Sequence, residues 1–263
     1  MRENKLKTKL ENGETVLNGW LHIPSSVTAE AMAHQGFDSL TIDLQHGPLH
    51  FEAAVPMLQA ISNTDVTPLA RVPWNEPGMV MKMLDAGCYG VICPMVNAGP
   101  ECEAFVRACR YPPQGYRSFG PTRAKFYGGA DYAKHANATV LTFAMIETKE
   151  ALENLDDILS VPGLDALYVG PADLSQSLGG PPGADFRDGP VPEALDKILE
   201  VAKWHGVKAG IHNASVAYAQ EMTAKGFQFV TVETDLSYML AGAQKIVADF
   251  KNQAEELDAP APY

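Results

Sequence analysis

The stretch AMIETKEALENLDDILSVPGLDALYVGPADLS, residues 144–175, holds one strand–helix–strand unit. Its two apolar runs, 144–146 and 166–169, show no polar alternation, which is typical of parallel strands that are covered on both faces. The apolar residues between these runs have helical spacing: Ala151, Leu152, Leu155 and Ile158. The stretch therefore predicts two parallel strands joined by a helix.

The same alternation continues along the whole chain. Eight apolar runs are separated by amphipathic segments: TVLNGWLHI, SLTIDL, TPLARV, GVICPM, VLTFAMIE, ALYVGP, KAGIHN and FVTVETDL. Eight strand–helix alternations in about 250 residues predict an α/β fold, a closed (β/α)8 TIM barrel, with a doubly wound open sheet as the alternative. We predict a single barrel domain over residues 1–256 and a flexible tail over 257–263.

Composition narrows the classes of partner. The chain of 263 residues carries a formal net charge of -12 and no Lys/Arg-rich run, which disfavours nucleic acid and anionic membranes. Its four cysteines form no CxxC pair and lie in apolar surroundings, as free buried thiols usually do. No apolar stretch approaches the roughly 20 residues of a membrane span, and the N-terminus does not resemble a signal peptide. We therefore predict a cytoplasmic protein.

Both strands of the opening stretch are followed by a carboxylate, first Glu147 and then Asp173. The loops after the strands build the active site in such barrels, and a spacing of 26 residues (147 to 173) places these groups on adjacent strands at one rim. Two close carboxylates repel each other unless a cation lies between them, and Mg²⁺, Mn²⁺ or Co²⁺ would suit oxygen ligands. Helix N-capping explains the two positions equally well.

Several other predicted strands also end in polar residues. The second ends with Asp43, Gln45 and His46 in TIDLQHG, and the third ends at Arg71 after a largely apolar run. A cation and an arginine that stabilise an oxyanion, with a histidine that moves a proton, suit enolate formation beside a carbonyl. Further candidates for lining the pocket lie near the ends of the first and seventh strands: Trp20, His22 and His212.

Six segments, in their order and spacing, resemble the HpcH/HpaI aldolases over essentially the whole chain: GFDSLTIDLQHGP, ARVPWNEP, MLDAGCYGVICPMV, RYPPQGYRSFGPTRA, IETKEALENL and GLDALYVGPADLS. This family includes class II pyruvate aldolases such as 4-hydroxy-2-oxoheptanedioate aldolase. The resemblance implies a barrel of the phosphoenolpyruvate/pyruvate-binding type. It also implies reversible cleavage of 4-hydroxy-2-oxo acids to pyruvate, or hydroxypyruvate, and an aldehyde through a metal-stabilised enolate.

The resemblance also implies roles for single residues. Glu147 and Asp173 would hold a divalent metal, Mg²⁺, Mn²⁺ or Co²⁺, which pyruvate would chelate. Arg71 would bind the keto oxygen, and His46 would act as general base. The main-chain N–H groups of Ala172 and Asp173 would meet the substrate carboxylate, as expected at the start of a helix.

Assembly also follows from the resemblance. Asp85 in MLDAG matches an acidic residue that a neighbouring subunit supplies in the family, where it raises the basicity of the histidine. The family implies a homohexamer, a trimer of dimers. The C-terminal segment from about 237 to 256 would be exchanged between subunits.

Three positions depart from the family pattern. Gln45 replaces a glutamate that many members have, and Met145 replaces a glutamine near the metal ligand. These departures are expected to change how the protein tunes the metal and its bound water. His212 stands where some members have an apolar pocket residue, which would favour polar aldehydes.

Three alternative functions are compatible with the sequence. A Schiff-base aldolase needs a lysine at a strand end, and Lys149 is the candidate. A CoA-ester lyase of the citrate lyase type would use further arginines for phosphate groups: Arg107, Arg110, Arg117, Arg123 and Arg187. A non-catalytic barrel that binds a 2-oxo acid is the third. The long excursion over 112–139 is predicted to have a functional role.

Overall fold

The computed structural model describes residues 1–251, which form a closed barrel of eight parallel strands in chain order. The strands are β1 (Val16–Leu21), β2 (Ser39–Asp43), β3 (Thr67–Arg71), β4 (Gly90–Cys93), β5 (Leu141–Ile146), β6 (Ala166–Val169), β7 (Lys208–Asn213) and β8 (Phe229–Val232). β8 closes the barrel by pairing with β1, where Leu17 lies opposite Val230. The predicted (β/α)8 barrel is confirmed, and the open sheet is excluded.

Helices surround the barrel. They are α1 (Lys5–Glu11), α2 (Ser26–Ala33), α3 (Phe51–Ile61), α4 (Pro77–Asp85), α5 (Gly99–Ala108), α6 (Ala124–Gly128), α7 (Tyr132–Thr139), α8 (Lys149–Glu153), α9 (Leu155–Leu159), α10 (Pro171–Ser177), α11 (Pro190–His205), α12 (Val216–Lys225) and α13 (Asp235–Phe250). Two of them, α6 and α7, lie within the excursion over 112–139. The helix expected between β5 and β6 is divided at Asn154 into α8 and α9.

Side chains alternate in direction along each strand, and this alternation decides which residues reach the interior of the barrel. In β5, Phe143 and Met145 belong to the interior cluster, whereas Ala144 and Ile146 pack against the surrounding helices. Glu147 follows in the inward series. A polar residue that lies two positions after an inward-facing apolar residue therefore also faces the interior, at the rim of the barrel.

Helix α1 closes the end of the barrel where the strands begin. Leu6 and Leu10 are buried in the interior cluster. Lys7 and Lys9 pair with Asp165 and Asp38, which precede β6 and β2, at 3.3 and 2.5 Å. The opposite end, at the carboxyl ends of the strands, therefore remains as the entrance to the interior.

Helix α13 contrasts with the other long helices. Its apolar side chains Met239, Ile246 and Phe250 are 56%, 70% and 88% exposed. It covers most of the segment predicted to be exchanged between subunits. The end of that segment and the predicted tail over 257–263 lie outside the described residues.

Two further expectations concern the whole chain. All four cysteines are free thiols in buried positions, as predicted. Within residues 1–251, no helix combines the length and the apolar character that crossing a membrane requires.

Candidate active site

Asp43, the last residue of β2, is the centre of a hydrogen-bond network at the carboxyl end of the barrel. Arg71 donates through Nε to Asp43 Oδ1 at 2.8 Å and through Nη2 to Asp43 Oδ2 at 2.5 Å. Trp20 Nε1 and His22 Nε2 reach Oδ2 at 3.1 and 2.7 Å. The side chain of Asp43 is fully buried. Three side chains, from β1, β3 and the residue that follows β1, are thus fixed to one carboxylate.

In this network, Asp43 and Arg71 each stabilise the ionised form of the other. Burial opposes ionisation of Asp43, but Arg71 and His22 outweigh it and hold the pKa of this carboxyl well below its ordinary range. Burial likewise opposes the charge on Arg71, and Asp43 nevertheless raises its pKa. The pair therefore stays ionised, and the bidentate contact fixes the plane of the guanidinium.

His46 lies in the turn after β2, and Asp43 also determines its position. Asp43 Oδ1 accepts hydrogen bonds from the backbone N–H groups of Gln45 and His46 at 3.0 and 3.4 Å. Burial, and then the charge of Arg71, lower the pKa of His46, while Asp43 and Asp173 oppose this shift. The imidazole is therefore neutral near pH 7 and able to accept a proton.

Glu147 is buried at the end of β5, and its carboxylate is held in a defined orientation. Oε1 accepts a hydrogen bond from the backbone N–H of Met95 at 2.7 Å, and Met95 adopts a left-handed conformation with φ 55°. Gly170 lies against the other oxygen, because a Cβ at that position would stand 2.5 Å from Oε2. Burial raises the pKa of Glu147 to about 7, and Asp173 acts in the same direction.

Asp173 lies in the first turn of α10, next to the half-buried Ala172. Its exposed carboxylate is close enough to affect the pKa of both Glu147 and His46. Arg71 affects the same two groups. The structure thus brings together four of the predicted residues at one rim: His46, Arg71, Glu147 and Asp173.

The two carboxylates fit a hard divalent ion. Within residues 1–251, no group of three or more His, Cys, Asp or Glu side chains has the arrangement of a metal site. Two carboxylates alone suit an ion of the magnesium type, which completes its shell with water and substrate oxygens. The space that Gly170 leaves beside Glu147 Oε2 keeps that oxygen accessible.

A cluster of aromatic and polar side chains lies inside the barrel near this rim. Tyr168 and His212 share a hydrogen bond of 3.1 Å between the phenol oxygen and Nδ1. Trp20 stacks on Tyr168, with ring centroids 5.4 Å apart, and meets His212 edge-on at 5.4 Å. Burial lowers the pKa of His212 to about 4, so this imidazole is neutral. Met145 belongs to the same buried cluster as Trp20 and Tyr168.

Two other predicted site residues, Gln45 and Asp85, have surroundings that differ from those of the four residues at the rim. Gln45 Oε1 is buried and has no hydrogen-bond partner within the described part of the chain. Asp85 ends α4, which runs back from the rim to the start of β4, and its carboxylate pairs with Arg117. A single chain therefore does not bring Asp85 to His46.

Four residues of the site were not among the predicted catalytic, metal or substrate groups: Asp43, His22, Tyr168 and Met95. Asp43 and His22 had a signal, since both are polar residues at strand ends in the inward series. Tyr168 gave a weaker signal, because it lies within an otherwise apolar strand. Nothing in the sequence indicates that Met95 adopts a left-handed conformation, because that region normally favours glycine or asparagine.

The chain is similar to known proteins of one family. The family model for HpcH/HpaI aldolase/citrate lyase matches residues 19–241. A hydroxypyruvate/pyruvate aldolase of Rhizorhabdus wittichii is 42% identical, with 94% of this chain and 98% of the relative covered. A 4-hydroxy-2-oxo-heptane-1,7-dioate aldolase of Klebsiella pneumoniae is 35% identical, with 95% of each chain covered.

A solved structure of an HpcH/HpaI aldolase/citrate lyase family protein from Burkholderia cenocepacia superposes with a TM-score of 0.88. It is 32% identical, and the match covers 94% of this chain and 99% of the other. The fold, the family model and the relatives together define a (β/α)8 lyase. The chain belongs to the HpcH/HpaI aldolase/citrate lyase family, which confirms the predicted family and the predicted carbon–carbon lyase class.

Proposed function

We propose that the protein is a metal-dependent, class II aldolase. It reversibly cleaves 4-hydroxy-2-oxo acids to pyruvate, or hydroxypyruvate, and an aldehyde. The observation that carries the proposal is the convergence of His46, Arg71, Glu147 and Asp173 at the carboxyl rim. The names of the relatives at 42% and 35% identity support the substrate class.

Glu147 and Asp173 would hold the metal, for which Mg²⁺, Mn²⁺ and Co²⁺ are the candidates. A bound divalent ion supplies positive charge that stabilises the oxyanion of an enolate. The N–H of Met95 orients the Glu147 carboxylate for this purpose. The first-turn N–H groups of Ala172 and Asp173 would receive the substrate carboxylate, since such groups have no partner within a helix.

Arg71 and His46 would handle the reacting atoms. Arg71 uses Nε and Nη2 on Asp43, which leaves Nη1 as the donor for the keto oxygen of the substrate. In the cleavage direction, His46 would take the proton of the 4-hydroxyl group, directly or through a water molecule. The lowered pKa of His46 keeps its nitrogen free to accept that proton.

The aldehyde would lie against Trp20, Tyr168 and His212. A neutral imidazole that is fixed by Tyr168 offers a hydrogen bond to hydroxyl groups, which an apolar side chain cannot offer. We therefore expect hydroxylated aldehydes to be preferred over alkyl aldehydes of equal length. Comparison of kcat/KM for glycolaldehyde and propanal, each with pyruvate and with hydroxypyruvate, tests this preference.

Metal removal tests the proposal as a whole. Protein treated with a chelator should release no pyruvate from a 4-hydroxy-2-oxo acid, and addition of Mn²⁺, Co²⁺ or Mg²⁺ should restore the release. Full activity of the stripped protein would sink the proposal. Borohydride treatment in the presence of pyruvate should give no covalent adduct, because the Lys149 side chain is exposed and lies beside Glu153 rather than in the pocket.

The alternatives are not favoured. Each arginine considered for CoA phosphates is engaged within the chain, with the following partners: Arg107 with Glu103, Arg110 with Asp165, Arg117 with Asp85, Arg123 with Ala86 and Leu58, and Arg187 with Glu221. A barrel that only binds a 2-oxo acid would show no turnover in the assay above.

Assembly and location complete the proposal. We propose a homohexamer built as a trimer of dimers, with α13 exchanged between subunits and Asp85 contributed to the site of a neighbour. The exposed apolar residues of α13 support this assembly. The buried free thiols support a cytoplasmic location, and the net charge of -12 supports the absence of nucleic acid and membrane partners.

A further inference from the structure

Arg117 is a buried arginine in the excursion between α5 and α6. It donates through Nη2 to Asp85 Oδ1 at 2.7 Å and through Nη1 to the Tyr132 hydroxyl at 3.1 Å. Its Cζ lies 4.4 Å from the ring centroid of Tyr111 and 5.6 Å from that of Tyr132. Two aromatic rings and one carboxylate therefore fix the guanidinium in a single orientation.

This arrangement leaves two buried polar atoms without a partner among the described residues. Arg117 Nε and the Tyr111 hydroxyl are both buried and have no hydrogen-bond partner within residues 1–251. Unpaired buried polar groups cost free energy, and apolar side chains of similar volume often replace buried ion pairs without loss of stability. Stability alone therefore does not explain why an arginine occupies this position. The reason must be sought in its partner.

Asp85 presents only one of its oxygens to Arg117. Oδ2 has no hydrogen-bond donor in the described part of the chain, and Gly120 lies beside it, since a Cβ there would be 3.6 Å from this oxygen. The side chain of Asp85 is 25% exposed, whereas that of Arg117 is fully buried. Arg117 thus anchors the inner oxygen, and the outer oxygen faces the surface of the protomer.

We propose that Arg117 is a positioning residue for Asp85, which it aligns so that the outer carboxylate oxygen can receive the imidazole of a neighbouring subunit's His46. The inference rests on the proposed function, in which Asp85 serves the active site of a neighbour. It assigns a role to the excursion over 112–139, because the excursion supplies Arg117 and both aromatic rings lie in or next to it. Tyr132, whose hydroxyl group fixes Nη1 of Arg117, is a second positioning residue.

Electrostatics agrees with this geometry. Burial raises the pKa of Asp85, and the hydrogen bond and charge of Arg117 oppose that shift. An ionised Asp85 would stabilise the imidazolium form of His46 and raise its basicity. The other groups that act on His46 belong to its own chain: Arg71, Asp43, Asp173 and His22.

The test compares Arg117→Met, Asp85→Asn and the double variant as Mn²⁺-loaded full-length oligomers. Arg117→Met should lower kcat/KM for 4-hydroxy-2-oxo acid cleavage by about 10- to 100-fold, as is usual for residues that orient a catalytic group. It should also move the acid limb of the pH profile to lower pH, because His46 loses the carboxylate that raises its pKa. Asp85→Asn should do the same. Adding Arg117→Met to Asp85→Asn should change kcat/KM by less than about 3-fold.

Two controls separate positioning from folding. Arg110→Met removes another buried arginine of the same region, which pairs with Asp165 at 2.9 Å and likewise has one unpartnered buried nitrogen. It should destabilise the protein comparably and leave the acid limb in place. Arg117→Lys, which keeps the charge but cannot contact Asp85 and Tyr132 together, should recover part of the lost kcat/KM.

The outcomes are distinguishable. Multiplicative losses in the double variant, or an unmoved acid limb in Arg117→Met, would overturn the inference while the aldolase function stands. The same holds if Arg110→Met shifts the limb as far as Arg117→Met does. If the unmodified protein shows no metal-dependent cleavage, the proposed function fails and the inference fails with it.

Discussion

Asp43 makes more hydrogen bonds in the site than any residue to which the sequence assigned a role. It has no proton to give at neutral pH, since its pKa is held well below the ordinary range by Arg71 and His22. Its function is therefore geometric: one carboxylate fixes the arginine that would bind the keto oxygen and the turn that carries His46. A change at Asp43 should affect two catalytic groups at once.

We expect Asp43→Asn to reduce both stability and activity. The amide cannot balance the buried charge of Arg71, and loss of one partner of a buried ion pair costs about 3–5 kcal/mol. The free energy of unfolding, from urea denaturation of metal-free protein, measures this effect. Asp196→Asn breaks an exposed pair with Lys225 and should cost less than about 1 kcal/mol. Equal losses in the two variants would contradict the assignment of Asp43 as the centre of the network.

Substitution of Glu147 tests the proposed metal site directly. Mn²⁺ should raise the melting temperature of the unmodified protein, because a ligand that binds only the folded state stabilises it, by about 2.7 kcal/mol at 100 times its Kd. Glu147→Gln should abolish this shift and lower activity at least about 100-fold, since a neutral amide is a poorer ligand. Glu150→Gln, an exposed carboxylate in α8, is the control and should keep both. A metal shift that survives in Glu147→Gln would place the ion elsewhere.

At the scale of elements, the sequence was sufficient to predict the barrel and its inner rim. Continuous apolar runs at regular spacing indicate parallel strands, and the period of two in a strand carries Arg71 and Glu147 inward after Leu69 and Met145. The same logic carries Asp43 inward after Thr41; the sequence placed this residue at a strand end but did not indicate its role. The sequence did not indicate where the backbone departs from regular geometry, as at Met95.

Helix α1 also escaped prediction, for a physical reason. Only Leu6 and Leu10 of its seven residues are buried, and lysines surround them, so the segment appears polar in sequence. Its stability comes from tertiary contacts, since an isolated helix of this length is marginal in water.

We therefore expect Leu10→Ala to destabilise the protein by about 2–5 kcal/mol, as for other large-to-small core substitutions. Urea denaturation measures the loss, and kcat should remain unchanged because α1 lies at the end of the barrel opposite the active site. Glu11→Ala, at an exposed position in the same helix, should have little effect on stability. A loss of kcat in Leu10→Ala at full folding would show that α1 also supports the site.

On the scale of the whole molecule, the exposed side of α13 and the place of Asp85 are the two features on which the proposed assembly rests. Ile246 and Phe250 expose apolar surface that is usually covered. Ile246→Lys combined with Phe250→Lys should dissociate the oligomer, as light scattering would show, while cations near the C-terminus of a helix do not weaken the helix itself. Asp249→Lys adds a cation at the same end and should leave the assembly intact. An unchanged assembly in the double variant would exclude α13 from the interface.

Complementation between chains tests whether two protomers share one active site. His46→Ala and Asp85→Asn each leave one of the two proposed partners intact. When the two variants are coexpressed and purified together through different tags, a site can combine the intact His46 of one chain with the intact Asp85 of the other. Roughly a quarter of the sites would do so if chains mix at random in a symmetric oligomer.

Activity of the mixed oligomer should therefore exceed the mean of the two pure variants. The control mixes the unmodified chain with a chain that carries both substitutions, which has the same residue content overall. It should show a similar activity, since random pairing again joins His46 and Asp85 in the same share of sites. If each chain instead used its own Asp85, the first mixture would show no gain and the control would retain about half of the full activity, because only the unmodified chains would work.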